Sequence, residues 1–296
     1  MFQPMRRPAP NWYRMPLLLV LLLLMIGIVA PPAAGQEPMN LAQFSMDKRL
    51  VISAGAFFVR FNSSYKYDDQ TSNERVFVHL EGQLDLPTTE IVANFIAQLR
   101  IAERHYLVGE YVSLRRSSER RLLQGSLDTG RDTVAIDAQT TATMNYNFVD
   151  IGYAYMFFRD ERTLVLGKLG VHIFDLNAAF SINGDLVVNQ DPYSGEISDG
   201  TDFVAFFPLV GAILNFQIAR RWFVQNLVDF VYLPIGDSQA AAIRTVVAGR
   251  FMFNRTVGIQ AGVSYNFERV KYTEDGVTQE VEFDFSGLGA GLYLAF

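Results

Sequence analysis

Cysteine is absent from the 296-residue chain, which excludes disulfides and thiolate metal sites and is compatible with a periplasmic route. A positive charge balance is absent too. The formal net charge of −6 makes the chain a poor candidate for nucleic-acid binding. Half of the residues are hydrophobic, yet outside the N-terminus no run approaches the roughly 20 apolar residues that a membrane-crossing helix needs. Apolar content without long apolar runs is what alternating strands produce. Histidine is scarce, with three residues, whereas 24 Phe and 13 Tyr supply the aromatic material that membrane-interface girdles require.

Residues 1–35 read as a cleaved signal peptide. Arg6, Arg7 and Arg14 make a positive start, Leu17–Ala30 an apolar core, and Ala33-Ala34-Gly35 a small-residue cleavage site before Gln36. A retained anchor is the alternative, but the apolar core is short for one and ends at Pro31-Pro32. The Arg pair lacks the rest of a twin-arginine motif, so ordinary Sec export is the expectation. Removing three Arg and no acid takes the net charge from −6 to −9. A polar lead-in follows at 36–49, and the body of the protein occupies 50–296.

The end of the chain alternates strictly from Ser286. Leu288, Ala290, Leu292, Leu294 and Phe296 share one face, and Gly287, Gly289, Gly291, Tyr293 and Ala295 the other. In water such a strand is a sticky edge; in a bilayer it closes a barrel, apolar outside and small-residue inside. Tyr293, Leu294 and Phe296 in this setting resemble the C-terminal sorting signal of Gram-negative outer-membrane β-barrels. The phrase Arg104-His105-Tyr106-Leu107, entering a strand that ends Ser113-Leu114-Arg115-Arg116-Ser117, is similar to such chains as well. The resemblance implies an all-β fold, a transmembrane antiparallel up-and-down β-barrel, in the cell outer membrane. It also implies handling by the barrel assembly machinery and contact with outer-membrane lipid and lipopolysaccharide.

Ten strands are counted from residue 50 onward, with eight or twelve as alternatives. Short turns alternate with longer connections at least through the first six, as periplasmic turns and extracellular loops do. In the first strand Phe57, Val59, Phe61 and Tyr65 share a face opposite Arg60, Asn62 and Lys66. A strand-like piece at Val76–Leu80 lies in the first long connection. The facing of Leu107–Val112 is open, residues 117–138 and 182–202 read as long polar segments, and Pro208 predicts a bulge or break inside its strand. A soluble β-sandwich also alternates, but it rarely combines a signal peptide, ten long strands and a terminal Phe.

With apolar faces turned to lipid, the inward charges are Arg60, Arg100, Lys168, Arg244 and Arg250 with Asp150, Asp229 and Glu268, joined by Glu110 if its strand faces that way. His172 belongs to the same interior. Charges in a narrow lumen must be paired or hydrated, so the set reads as an ion-pair network filling the barrel. The alternative is the lining of a narrow water-filled pore. Catalysis has little support. Outer-membrane lipases and deacylases need a His–Ser pair, and omptin-type proteases need Asp and His pairs at the outer rim. His172 and Asp175, three apart, fall on opposite faces of a strand, while His79 and His105 sit in a loop and at a turn. The acidic stretch Asp185, Asp191, Glu196, Asp199 and Asp202 matches no EF-hand spacing; no metal or cofactor is expected. The basic run Arg115, Arg116, Arg120, Arg121 stands where strand three leaves the membrane, and Arg forks suit the phosphates of lipopolysaccharide; a solvated loop is the competing reading. The functional expectation is a non-catalytic, largely side-chain-filled barrel whose loops contact lipopolysaccharide or a partner. A narrow channel for small solutes or hydrophobic compounds is second, and an outer-membrane enzyme third.

Overall fold

Alternation gives each strand one face for lipid and one for the interior, and a sheet of such strands buries its backbone polar groups in lipid only if it closes. The computed structural model describes residues 48–69, 74–122, 127–128, 133–134, 138–188, 191–235, 238–274 and 276–296. The chain divides into two units, Met1–Glu37 and Pro38–Phe296, and all described residues belong to the second. The expected signal peptide and nearly all of the lead-in lie outside them.

In chain order the elements are β1 (Leu50–Asp69), β2 (Glu74–His79), α1 (Leu80–Gln83), β3 (Thr89–Ala102), β4 (His105–Leu122), β5 (Leu127–Asp128), β6 (Thr133–Val134), β7 (Ala138–Arg159), β8 (Thr163–Val188), β9 (Asp191–Ala219), β10 (Trp222–Ile235), β11 (Ser238–Met252), β12 (Val257–Glu274) and β13 (Val277–Ala295). Ten of them, β1, β3, β4 and β7 to β13, pair antiparallel in chain order. β13 then pairs with β1 from Val51↔Ala295 to Asp69↔Val277, so the wall is a closed, up-and-down ten-strand barrel. At the seam Phe296 N–H donates to Leu50 O at 2.8 Å and Leu50 N–H to Phe296 O at 3.2 Å.

The outer wall identifies the solvent. Phe58, Ile91, Leu169, Phe206 and Leu288 are between 58 and 71% exposed, a girdle of apolar side chains that only lipid can cover. On β13 the outward apolar run from Leu288 to Phe296 has the length that a tilted strand needs to cross the hydrocarbon, about 9–11 residues. Beyond it the outward positions turn polar, at Arg60 on β1, Asn147 on β7, Asp175 on β8 and Asp284 on β13. The other end is closed by short turns. Asp160 Oδ1 accepts from the Arg162 and Thr163 N–H groups, and Asn254 Oδ1 from those of Thr256 and Val257. One register shift between Met156 and Phe158 leaves both Phe157 and Phe158 exposed at this end.

Three expectations change. β1 faces the other way: Val59 and Phe61 are buried inside, whereas Arg60 is exposed on the outer wall. Its polar residues lie above the apolar band, where the outward side is water and the inward side packs the mouth. Pro208 causes no bulge in β9, which stays in register with β8 through Val171↔Pro208. Instead the β10 ladder ends at Val231↔Leu209, just before the residue that cannot donate. Residues 182–202 continue the β8–β9 hairpin as far as Val188↔Asp191. The strand-like piece at Val76–Leu80 is borne out as β2, which pairs with the top of β1 and leads into α1.

Inside, two apolar layers stack along the axis. The layer at the turn end includes Tyr106, Met156, Leu166, Phe223, Met252 and Tyr293. The layer toward the outer mouth includes Phe61, Leu114, Tyr146, Phe174 and Phe285, sealed by Leu80, Leu84 and Leu86 from α1 and the chain after it. Between Val108 and Val112 on β4, and between Leu166 and Phe174 on β8, comes a polar level.

Candidate functional site: a charged belt across a filled barrel

Even spacing along each strand brings the belt residues to one depth. The register places Glu110 opposite Asp150, Asp150 opposite His172, and Asp229 opposite Arg244. Arg244 crosses the lumen from β11. Its Nη1 donates to Asp150 Oδ2 at 3.0 Å, its Nη2 to Glu110, and Asp229 Oδ2 lies 3.8 Å away, while the guanidinium sits 5.2 Å from the centre of the Phe148 ring. Asn94 Nδ2 holds the other side of the belt, donating to Glu110 Oε1 at 2.6 Å. Lys168 on β8 reaches past β9 to Asp229 on β10, donating to its Oδ2 at 2.9 Å. It passes over Gly211, the residue paired with both Lys168 and Asp229. A Cβ at that glycine would collide with the Asp229 carboxylate, so the missing side chain is what opens the path.

His172 is 5% exposed and lies between two carboxylates. Its Nδ1 is 2.6 Å from Asp150 Oδ1 and its Nε2 4.0 Å from Glu268 Oε1, which accepts from the Tyr146 hydroxyl. The rings of Phe148, Phe174 and Phe207 wall it in at centroid distances of 5.3 to 6.5 Å. Bringing such charges together in a low-dielectric interior is tolerable only with this density of partners. Two cavities of about 20 Å³ flank the Glu110 side chain, each with room for one water. His172 Nε2, Arg244 Nε, Asp229 Oδ1 and Asn266 Oδ1 have no hydrogen-bond partner among the described residues.

The structure thus gathers Asp150, Lys168, His172, Asp229, Arg244 and Glu268 into one network, and the facing of β4 adds Glu110. Arg250 is buried nearby but separate, 4.2 Å from the centre of the Tyr293 ring and bonded to Gln225 and Gln260. Arg100 faces inward, half-buried, at the turn end. Arg60 is outside, as described above. The basic run on β4 is divided by parity: Arg115 is exposed on the outer wall, whereas Arg116 is buried inside. Arg116 donates to Glu81 Oε1 at 2.6 Å and to Ser63 Oγ at 3.2 Å, lies over Phe61, and is withdrawn from any contact with lipopolysaccharide. The side chains of Arg120 and Arg121 lie outside the described residues. Tyr293 of the terminal signature points inside, Leu294 and Phe296 outward. Sequence reasoning missed Glu81, Asn94 and Tyr146. Tyr146 lies four residues before Asp150, an even spacing that marks the shared face; Glu81 carries no such signal because α1 belongs to no strand.

No known protein family and no curated protein sequence matches the chain. Its fold is similar to that of the outer membrane protease OmpT from Escherichia coli, with a TM-score of 0.54 and 9% identity over 83% of this chain and 97% of that one. Weaker likenesses join it to the toluene transporter TodX of P. putida (TM-score 0.38, 10% identity, 86% of this chain and 92% of that) and to Ail, the attachment invasion locus protein of Yersinia pestis (TM-score 0.28, 13% identity, 81% and 99%). Closed ten-strand wall, lipid-facing band and fold likeness agree: the chain has the fold of an outer-membrane β-barrel.

Proposed function

We propose that the protein is a closed, non-catalytic barrel that works through the surface it presents outside the outer membrane, where it contacts lipopolysaccharide or a partner. The observation that carries this reading is the stacking in the lumen. An apolar layer, the charged belt and a second apolar layer capped by α1 succeed one another along the axis, and the two cavities beside Glu110 among the described residues each have room for about one water. A solute path would need the belt to part, and its ion pairs tie β4, β7, β8, β10 and β11 together. Against catalysis stands the position of His172, the histidine with close carboxylates, deep under aromatic rings and not in an accessible cleft. The outward end is built up instead: β8 has 26 residues and β9 has 29, against the ten or so that cross the hydrocarbon. Arg115, exposed just above the apolar band, supports this reading, since its guanidinium fork suits headgroup phosphates.

Single-channel recording of the refolded protein in planar bilayers, after unboiled material is shown to migrate as a folded barrel, tests the closed lumen. A folded but silent barrel is expected. Discrete, reproducible openings would overturn the proposal in favour of a channel.

A further inference from the structure

The turn end of the barrel is basic, although the chain as a whole is acidic. The β3–β4 turn carries Arg104, the β7–β8 turn Arg159 and Arg162, the β9–β10 turn Arg220 and Arg221, the β11–β12 turn Arg255, and Arg49 stands just before β1. Three acids, Glu103, Asp160 and Glu161, share these turns, and the Asp160 carboxylate is occupied by two backbone N–H groups. Apart from Arg159, these arginines make no ion pair or side-chain hydrogen bond among the described residues. The chain as a whole is at −6, and the outward residues beyond the far edge of the band on β13 are Glu280, Glu282 and Asp284. At the turn end seven arginines thus stand against three acids, whereas beyond the far edge of the band basic side chains are matched by acids, Lys66 and Arg269 pairing with Glu280.

We propose that this ring binds the anionic headgroups of phospholipids in the periplasmic leaflet. Two features select a membrane as the partner. First, the charge encircles the barrel, with at least one arginine at every one of the four turns, whereas a globular partner or a soluble polyanion would meet one side. Second, every turn sets exposed apolar or aromatic side chains beside its arginine: Ile101 before Arg104, Phe158 before Arg159, Ile218 and Trp222 around Arg220 and Arg221, and Phe253 before Arg255. An arginine there lays its aliphatic stem along the edge of the band and places its guanidinium among phosphates, where the planar fork meets two oxygens at once. Short turns, two of them pinned by Asp160 and Asn254, keep the charges at one depth.

The test uses the full chain refolded into vesicles that mix phosphatidylcholine with phosphatidylglycerol, then released gently in detergent and weighed intact with its retained lipids. Phosphatidylglycerol should be retained over phosphatidylcholine by about fivefold or more, the factor that a single arginine contributes near an anionic surface, and the preference should fall as salt rises. It should be lost in a variant carrying R104Q, R220Q, R221Q and R255Q that still migrates as a folded barrel. Equal retention of the two lipids, a preference unmoved by salt, or an unchanged preference in the folded variant would each overturn the proposal. If the fourfold variant does not fold, R220Q with R221Q and the salt series decide. Retention of lipopolysaccharide alone, offered in a parallel sample, would also overturn it. The result is independent of whether the lumen conducts.

Discussion

Lys168 and Asp229 are separated by a whole strand, and a single glycine determines whether they meet. At Gly211 an added methyl would drive into the Asp229 carboxylate and the Val228 carbonyl, so Gly211→Ala must push aside a buried acid that holds a buried lysine. Overpacking of this kind destabilises by about 1–3 kcal/mol. Gly249 is the control: its added methyl would lie 3.8 Å from the nearest atom, the Ala261 carbonyl oxygen, which is ordinary contact. Urea unfolding of the two refolded variants should therefore show a clear loss for Gly211→Ala and a change within roughly 0.5 kcal/mol for Gly249→Ala. Equal effects would mean that the belt does not depend on the gap. At this scale much was legible, because period-two parity groups Asp150, Lys168, His172, Arg244 and Glu268 once an outward face is known. Partners across the lumen were not, since strand curvature and the offset between neighbours determine which inward residues reach one another. Asp150 and His172 are neighbours only through the β7–β8 register, and the pairing with Asp175 that sequence proximity suggests is forbidden by parity.

Single elements explain where sequence reading fails. β1 is apolar on both faces near Val51–Val59, so alternation alone could not orient it. The deciding fact is the level at which the membrane ends, below Arg60. α1 was invisible because four residues are too few for a helical period, yet this short piece closes the outer mouth. Its Glu81 accepts from Arg116 and from the Ser63 N–H at 2.8 Å, while Ser118 Oγ donates to Leu84 O, and Leu80, Leu84 and Leu86 sink into the upper apolar layer. Removing one partner of such a buried pair is costly, about 3–5 kcal/mol, because the other charge stays behind. Arg116→Ala should therefore loosen the cap before it loosens the wall. Amide hydrogen exchange across 80–88 is expected to accelerate while β7 and β8 keep their protection. Arg115→Ala, one residue away but on the outer wall, should leave that segment slow. If both substitutions act alike, the cap is held by its leucines and the Arg116–Glu81 pair is incidental.

A barrel has no stable half-closed form, because each unpaired strand edge would leave a row of backbone donors and acceptors in lipid. The closure here is the β1–β13 seam, built from the first and last strands of the described chain, so the wall completes only when residues far apart in sequence meet. Phe296 contributes to that seam in two separable ways. Its backbone exchanges both hydrogen bonds with Leu50, and its ring, 54% exposed, extends the outward row of Leu288, Leu292 and Leu294 to the edge of the band. Phe296→Ala removes the ring and keeps the backbone pair, whereas deletion of Phe296 removes both. Assembly recognised through the terminal aromatic predicts that the two variants reach the outer membrane equally poorly, with less heat-modifiable protein in the membrane fraction than wild type. Assembly limited by closure of the ladder predicts that Phe296→Ala is nearly normal and that the deletion alone fails. Wild-type levels of the deleted chain would refute both, and would mean that the remaining pairs, from Val51↔Ala295 upward, suffice to close the wall.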